Sequence, residues 1–409
     1  MKRYSEYKDS GVKWIGEIPG HWEIRRLKNV VLCNAETLSE NFPKDEVIKY
    51  VEISDVNYTS GITNIQRMPF GEAPSRARRI TKKNDVIVST VRTYLKAVAK
   101  IQEDGLIVST GFAVLHPLIG NSSFLSYFAL SESFIHNVIV NSKGISYPAI
   151  TASDLICIAM PLPPLSEQEA IVTYLDSKVD KIDEYISIAE KKIAALEELK
   201  QTIIAEAVTR GIHKDVPMKD SGVKWIGMIP EHWDCCKLKY FTRIKSGDAL
   251  TNNALSDTGK YKVYGGGDFM GFYDKYNVDA NTILIGRVGA RCGCVTITEE
   301  KAWATDNALI LIHFNINTKF LTYLLVAANL NSLSISNAQP LITGSKVKDS
   351  FIPIPPLPEQ QEIVSYLDSK VANINQLCQA ERSQIEKLKE YKQRLISDVV
   401  TGKVKVTND

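Results

Sequence analysis

Basic side chains recur next to aromatic and hydroxyl side chains at similar places in the two halves of this 409-residue sequence. The stretch from Pro74 to Lys83 contains five basic residues in ten and no acidic residue. Lys and Arg neutralise phosphates, and Arg also donates two parallel hydrogen bonds to guanine in the major groove of DNA. The pattern therefore predicts a polyanionic partner, and duplex DNA in particular.

The candidate DNA-binding residues lie in this basic stretch, on loops that follow predicted strands, and on small polar loops near the end of each half. In the first half they are Arg76, Arg78, Arg79, Lys82, Lys83, Arg92, Tyr94, Lys96, Lys143 and Tyr147. In the second half they are Lys245, Lys262, Tyr264, Arg287, Arg291, Thr343, Ser345 and Lys346. One basic cluster is more often a solvated face than a binding site, but similar clusters beside the same strand in both halves favour DNA.

The sequence contains no recognisable catalytic motif. It has no GxxxxGK[ST] phosphate loop, and residues 265–267, three glycines, lack the strand and helix context of a nucleotide-binding fingerprint. The Asn/Asp-Pro-Pro-aromatic tetrad of amino-methyltransferases is missing. Asp176-Ser177-Lys178 resembles the end of a nuclease motif, but its copy at residues 368–370 favours an exposed charge pattern on a helix. We therefore predict that the chain is not an enzyme and binds no metal or cofactor itself.

The histidines and cysteines do not have the spacing of metal ligands. His21 and His232 belong to a repeated segment, in which packing or a hydrogen bond to the scaffold is the predicted role. The seven cysteines show no disulfide framework, and the N-terminal sequence has no signal peptide. No apolar run approaches the roughly 20 residues that span a bilayer. Together these features predict a cytoplasmic protein.

Two repeated segments position the candidate residues. The first, which we call the tryptophan box, is residues 8–22 and 219–233; both copies contain Lys-Asp-Ser-Gly-Val-Lys-Trp-Ile-Gly, Ile-Pro and His-Trp. The second segment, 161–211, returns without a gap 192 residues later, at 353–403. The offset between the halves falls from 211 at the box to 197 at the next predicted strand, so the second half is shorter there. The chain is therefore predicted to be two similar halves.

The gapless repeat has the apolar pattern of a coiled coil, with steps of three and four residues. Its predicted packing residues are Ile171, Leu175, Val179, Ile182, Ile193, Leu196, Ile363, Leu367, Val371, Ile374, Ile385 and Leu388. About 44 helical residues would form a rod of roughly 65 Å. We predict that the two rods pack antiparallel on each other, although such helices are also compatible with self-association of a structural protein.

Charge is divided between the helices and the rest of the chain. Residues 166–209 hold 5 Lys and 10 Asp/Glu, and residues 358–401 hold 6 Lys/Arg and 7 Asp/Glu, so the helices sum to −6. Because the whole chain has a net charge of +2, the remainder has +8. This distribution weakly favours a polyanionic partner for the globular parts.

Local patterns indicate α+β modules with a twisted, partly antiparallel sheet. Short β-branched runs predict strands at Val86–Ser89 and Ile283–Gly286. Short helices are predicted at Phe124–Ile139 and Phe320–Leu330.

The tryptophan box, the Pro-Leu-Pro-Pro-Leu-Ser-Glu-Gln-Glu start of the helix at 161–169 and the order module, helix, module, helix together resemble a type I restriction–modification specificity subunit. The resemblance covers nearly the whole chain. It implies target-recognition domains at 1–160 and 212–352. It also implies spacer helices at 161–211 and, with a C-terminal tail, 353–409, which form an antiparallel coiled coil.

The resemblance also implies partners and cofactors. Each target-recognition domain would read one half of a bipartite asymmetric site in double-stranded DNA. Two modification subunits, holding S-adenosylmethionine, would methylate adenine, and restriction subunits would bring ATP- and Mg-dependent translocation and cleavage. Two alternatives remain: a coiled-coil scaffold without DNA reading, and a specificity chain whose single partner both methylates and cleaves.

Overall fold

The computed structural model describes residues 3–334 and 340–406 and divides into two units by internal contacts. Unit 1 comprises the chain up to Ala189 together with the residues from Ser383 onward, and unit 2 comprises Glu190–Arg382. Both boundaries fall inside long helices. Each unit therefore contains one globular module, part of the helix that follows it and part of the other long helix.

Unit 1 consists mainly of short strands in small sheets. The strands are β1 Tyr7–Asp9, β2 Glu17–Pro19, β3 Glu23–Arg26, β4 Val31–Cys33, β5 Val47–Val51, β6 Val56–Asn57, β7 Gly61–Ile62, β8 Gln66–Pro69, β9 Ala77–Ile80, β10 Val86–Ser89, β11 Val98–Lys100, β12 Ile107–Ser109, β13 Phe112–Pro117 and β14 Ala159–Leu162. One four-stranded sheet, of order β11-β10-β13-β4, is antiparallel throughout. The other, of order β8-β5-β12-β9, is mixed, because β5 and β12 run parallel.

Four helices follow in chain order: α1 Ser122–Ala129, α2 Glu132–Val140, α3 Ala152–Leu155 and α4 Leu165–Arg210. The predicted helix Phe124–Ile139 is wrong as one element, because α1 ends at Ala129 and α2 begins at Glu132. The Ser131 hydroxyl accepts the backbone N–H of Phe134 and so caps a new helix. The apolar pattern runs through this break because both short helices bury their apolar faces in the same module.

Unit 2 repeats this arrangement with one strand fewer in its mixed sheet. Its strands are β15 Met218–Asp220, β16 Met228–Pro230, β17 Asp234–Lys237, β18 Thr242–Ser246, β19 Tyr261–Tyr264, β20 Phe269–Tyr273, β21 Ile283–Gly286, β22 Val295–Ile297, β23 Ala302–Ala304, β24 Ala308–His313 and β25 Phe351–Ile354. The sheet β18-β24-β21-β22 is antiparallel, and β20-β19-β23 is mixed, with β19 and β23 parallel. Among the described residues no strand corresponds to β9, which lies where the sequence offset predicted a shorter second half.

The helices of unit 2 are α5 Thr318–Ala327, α6 Gly344–Lys348 and α7 Leu357–Val400. The predicted helix Phe320–Leu330 is thus shorter at its C-terminal end, and a 3-10 turn at Leu330–Leu333 follows it. Both predicted strands, Val86–Ser89 and Ile283–Gly286, have the expected bounds, as β10 and β21.

The long helices α4 and α7 are antiparallel in each unit. In unit 2 the Lys192 ammonium pairs with Glu381, while Lys200, further along α4, contacts Asn375, earlier on α7. In unit 1 Lys392 of α7 donates to both oxygens of Asp183 at 2.7 Å. The predicted antiparallel pairing is confirmed.

The twelve predicted packing residues all have buried or half-buried side chains. Seven are buried, namely Ile171, Leu175, Ile182, Ile363, Leu367, Ile374 and Ile385. The other five, Val179, Ile193, Leu196, Val371 and Leu388, are half-buried. Burial does not fall steadily along the seam, because Val179 is half-buried whereas Ile182, further from the module, is buried.

Candidate nucleic-acid interface

The tryptophan box attaches each module to the N-terminal end of a long helix. In unit 1 Trp22 Nε1 donates to Glu167 Oε2 at 2.9 Å, and His21 Nε2 lies 2.8 Å from the same oxygen. The Tyr4 hydroxyl donates to the other oxygen, and burial together with this carboxylate raises the pKa of Tyr4. In unit 2 Glu359 occupies the same position. The predicted role of the repeated histidines, a hydrogen bond to the scaffold, is confirmed.

In unit 2 Trp233 Nε1 and His232 Nε2 lie 3.0 Å and 2.8 Å from Glu359 Oε2. The glutamine that follows each glutamate ties down another loop. Gln168 accepts the backbone N–H of Asn121 at 2.8 Å, and Gln360 does the same for Asn317. The Glu-Gln pair of the repeated segment is therefore a structural clamp between each module and its long helix.

The Asp-Ser-Lys repeat is part of the same attachment. Asp176 accepts the hydroxyl of Tyr127, on α1, at 2.6 Å. Its copy Asp368 accepts the hydroxyl of Tyr323, on α5, at 2.8 Å and pairs with Lys319. The prediction of a merely exposed charge pattern therefore missed a module-to-helix contact, since sequence spacing alone does not show which tyrosine meets the carboxylate.

Two loops of unit 1 form a continuous surface, which we call the loop pair, residues 90–97 and 141–150. Val91 bridges to Ala149, and Ile150 donates its N–H to the Thr90 carbonyl at 2.9 Å. The hydroxyls of Thr93 and Ser142 lie 2.9 Å apart. These contacts fix the loops on each other although they are far apart in the sequence.

The loop pair brings together five of the predicted residues: Arg92, Tyr94, Lys96, Lys143 and Tyr147. The Arg92 guanidinium lies over the Tyr147 ring at 5.0 Å, and Lys96 lies over Tyr58 at 5.5 Å. Arg92 and Lys96 both have left-handed backbones, with φ of 51° and 53°. Such conformations cost non-glycine residues about 1–2 kcal/mol each and persist where the surroundings impose them, often at binding sites.

The cations of the loop pair lack acidic partners within the described part of the chain. Neither Arg92 nor Lys143 is in an ion pair there, and both are exposed, as are the rings of Tyr94 and Tyr147. Cations without acidic partners beside exposed aromatic rings can neutralise phosphates and stack on bases.

The basic stretch of the first half lies on and around β9 and is partly neutralised. Arg76 pairs with Glu52 at 2.6 Å, and Lys82 pairs with Glu36. The Arg78 guanidinium lies over the Phe70 ring at 4.8 Å. Lys83 is exposed. The run therefore presents less net charge than its sequence indicates.

Arg79 differs from its neighbours in this run. Its Nη1 donates to Thr37 Oγ1 at 3.1 Å, whereas its buried Nε has no partner among the described residues. Burial raises the pKa of the nearby Cys33 thiol, and the Arg79 charge partly opposes that shift.

In unit 2 the loop after β21 occupies the place of the first loop in the loop pair. Val288 bridges to Leu341, and Ile342 donates its N–H to the Arg287 carbonyl at 2.9 Å. Gly286 is required here, because a Cβ at that position would lie 2.2 Å from the Gly266 carbonyl oxygen. The backbone at Gly266 therefore packs directly against the backbone at Gly286. A turn at residues 265–267, as predicted, does not by itself account for this close approach.

Several predicted residues of unit 2 already have polar or acidic partners. Arg287 donates to Ser246 at 3.5 Å, and Arg291 pairs with Asp268 at 2.9 Å. Lys262 lies 3.5 Å from Glu300 and 3.8 Å from Glu299. Tyr264 is half-buried against the core of the mixed sheet, and Lys245 is exposed on β18.

The small polar loop at the end of unit 2 is a helix start. The Thr343 hydroxyl accepts the Lys346 N–H at 3.4 Å and lies 3.0 Å from that of Ser345, so Thr343 is the N-cap of α6. Lys346 Nζ donates to the Leu333 carbonyl at 3.2 Å. Thr151 has the same capping role in unit 1. These residues have local structural roles whatever else they contact.

Across residues 3–334 and 340–406, no group of three or more His, Cys, Asp or Glu side chains is arranged to hold a metal ion. The helices of that part of the chain include none with the length and apolar character of a membrane span.

Comparison with known proteins identifies relatives. The profile of the family described as type I restriction modification DNA specificity domain matches residues 19–198 and 230–387. The type I restriction enzyme MjaVIII specificity subunit of Methanocaldococcus jannaschii is 27% identical, with 68% of this chain and 69% of that protein covered. The putative MjaX specificity subunit of the same organism is 26% identical over 98% of each chain.

Solved structures share the fold. One solved structure has a TM-score of 0.73 at 24% identity and covers 95% of this chain and 99% of its own. It is described as the structural basis underlying complex assembly and conformational transition of the type I R-M system. The HsdS subunit of Thermoanaerobacter tengcongensis has a TM-score of 0.50 at 26% identity, covering 95% and 98%.

Proposed function

The chain belongs to the type I restriction–modification DNA specificity family, and from that membership we propose that it reads a bipartite, asymmetric site in duplex DNA, one half-site with each unit. The observation that supports this most directly is the loop pair of unit 1. There Arg92 and Lys143, without acidic partners among the described residues, lie beside the exposed rings of Tyr94 and Tyr147.

We also propose that the chain acts through partners in the cytoplasm. Two modification subunits would dock on it and transfer a methyl group from S-adenosylmethionine to adenine, and restriction subunits would supply ATP- and Mg-dependent cleavage. The chain's own contribution is to bind DNA and hold these partners. Its relatives are named as specificity subunits, and the clamps at Glu167 and Glu359 are structural, which supports this division.

The first experiment measures binding of the purified chain to random duplex DNA at increasing salt. We expect the logarithm of the binding constant to fall linearly with the logarithm of salt concentration, with a slope of about −0.9 for each phosphate contacted. A chain that shows no salt-dependent DNA binding would instead favour the scaffold alternative.

Variants locate the binding surface. Arg92→Ala with Lys143→Ala should weaken binding about tenfold or more at low salt and reduce the slope by about two. Lys82→Ala is the matched control, because that ammonium already pairs with Glu36 and should contribute much less. Equal losses in the two variants would contradict the assignment to the loop pair.

The division of labour is tested by activity. The purified chain incubated with S-adenosylmethionine and DNA should transfer no methyl group, whereas addition of its modification subunit should produce methylated adenine. Mapping methylated adenines in a host with and without the chain would then give the two half-sites. Methyl transfer by the chain alone would contradict the proposal.

A further inference from the structure

The tip of the second loop in the loop pair presents an isoleucine to solvent. Ile145 is 101% exposed, which is the highest value among the exposed large apolar side chains of the described residues. Its neighbours Gly144 and Ser146 are small, so the apolar side chain projects without bulky residues beside it. A single exposed apolar side chain is common and does not by itself indicate a partner. Ile145 is distinguished by its position between Lys143 and Tyr147, on which the Arg92 guanidinium packs.

The loop that carries Ile145 is closed and braced at its base. Lys143 and Ala149 exchange backbone hydrogen bonds of 2.8 and 2.9 Å. Gly144 has φ of +103°, and a Cβ there would lie 3.2 Å from the Tyr147 carbonyl oxygen, so this turn requires glycine. The Arg92 guanidinium packs on Tyr147 from the neighbouring loop. These contacts brace the base of the loop, which lowers the cost of ordering it on binding.

The charges around the tip point to nucleic acid as the occupant. Lys143 lies two residues before Ile145, and the Arg92 guanidinium packs on the ring of Tyr147, two residues after Ile145. An apolar pocket on a protein partner gives no reason for the cations Lys143 and Arg92 near Ile145. A DNA groove is lined by phosphates, which these cations would neutralise. The apolar surfaces within a groove are base faces and thymine methyl groups, and aliphatic wedges enter between base pairs in other proteins.

We propose that Ile145 is an apolar wedge, inserted at a base step of the half-site that unit 1 reads, with Lys143 and Arg92 on the flanking phosphates. The inference rests on the proposed function and adds a residue that composition did not single out, because an isoleucine in a polar loop has no basic or aromatic character. The equivalent stretch of unit 2, residues 335–339, lies outside the described residues.

The test uses the full chain with its modification subunit and a duplex that contains the mapped site. Ile145→Ser should weaken binding roughly tenfold or more, since it removes the buried aliphatic surface. The salt slope should stay unchanged, because no phosphate contact is lost. Ile145→Leu should keep most of the affinity. Ile119→Ser is the matched control, an isoleucine 49% exposed on the segment that meets Gln168.

Insertion itself is measured with 2-aminopurine placed at successive steps of the half-site. Unstacking at one step should raise fluorescence with the unaltered chain and not with Ile145→Ser. Equal affinity of the serine variant, an equal loss with Ile119→Ser, or no fluorescence rise at any step would each overturn the wedge. A chain that binds no DNA would instead overturn the proposed function, so the two failures are distinct.

Discussion

At the scale of single residues, a repeated glutamate determines how each module meets its helix. Glu167 accepts hydrogen bonds from Trp22 and Tyr4 and contacts His21, whereas Glu359 lacks a tyrosine partner among the contacts of unit 2 that the structure describes. Buried donors that lose their acceptor cost about 1–3 kcal/mol each, so the two clamps should differ in strength.

Glu167→Ala should therefore lower the free energy of unfolding by roughly 2–4 kcal/mol, and Glu359→Ala by about 1–2 kcal/mol. Urea denaturation followed by tryptophan fluorescence measures both. Glu169→Ala, an exposed carboxylate of the same helical turn, should change stability by no more than about 0.5 kcal/mol. Equal effects of the three substitutions would show that the clamp has no special role.

Tyr50 gives a prediction about pH. Burial, with a hydrogen bond to Glu52, raises the pKa of Tyr50 from 10.0 to about 12. Because the folded chain holds this proton more tightly, the stabilisation is complete below pH 10 and is lost as pH rises from 10 to about 12. The pH-dependent loss of stability in that window should shrink by on the order of 1 kcal/mol in Tyr50→Phe. Tyr94→Phe, on an exposed ring, should leave it unchanged.

At the scale of elements, glycines end both long helices. Gly402 and Gly211 have φ of +76° and +77°, as expected for the residue after a helix, and both pack against a tryptophan box. At Gly402 a Cβ would lie 2.4 Å from Pro19 Cδ, whereas at Gly211 the nearest atom, on Trp233, is 3.3 Å away. The two ends therefore tolerate a side chain differently.

Gly402→Ala should destabilise unit 1 by roughly 3 kcal/mol, since it adds an overlap with Pro19 to the backbone cost. Gly16→Ala isolates the backbone cost, because Gly16 has φ of +72° and open space around its Cβ position, and should cost about 1 kcal/mol. Thermal unfolding of the three proteins measures the difference. If both variants melt alike, the contact with Pro19 is not constraining.

At the scale of the whole molecule, α4 and α7 are proposed to set the separation of the two half-sites. The test variant lacks seven residues from each helix, taken from within 184–191 and from within 382–391. Both deletions lie between the ion pairs Asp183–Lys392 and Lys192–Glu381. Heptad phase is kept. We expect an active variant to methylate sites with an altered spacer, read by mapping methylated adenines. An active variant with the original spacer would contradict this role.

The sequence by itself determined the two-module architecture, the two strands β10 and β21 and the paired helices. The reason is that apolar periodicity and gapless repetition are local signals, which one chain displays in full. The sequence also showed that basic residues follow the equivalent strands β10 and β21 in the two halves. It did not reveal the break at Ser131, because both short helices keep the same apolar face.

Only the tertiary structure decided which of the predicted side chains lie together. Arg92 and Tyr147 are distant in sequence and meet because Val91 pairs with Ala149, while Arg76 and Lys82 meet carboxylates that the sequence places elsewhere. Ile145 is exposed at the tip of a loop whose base is closed by backbone hydrogen bonds between Lys143 and Ala149. Ion pairing and exposure depend on long-range contacts, and so composition could indicate the kind of surface but not its residues.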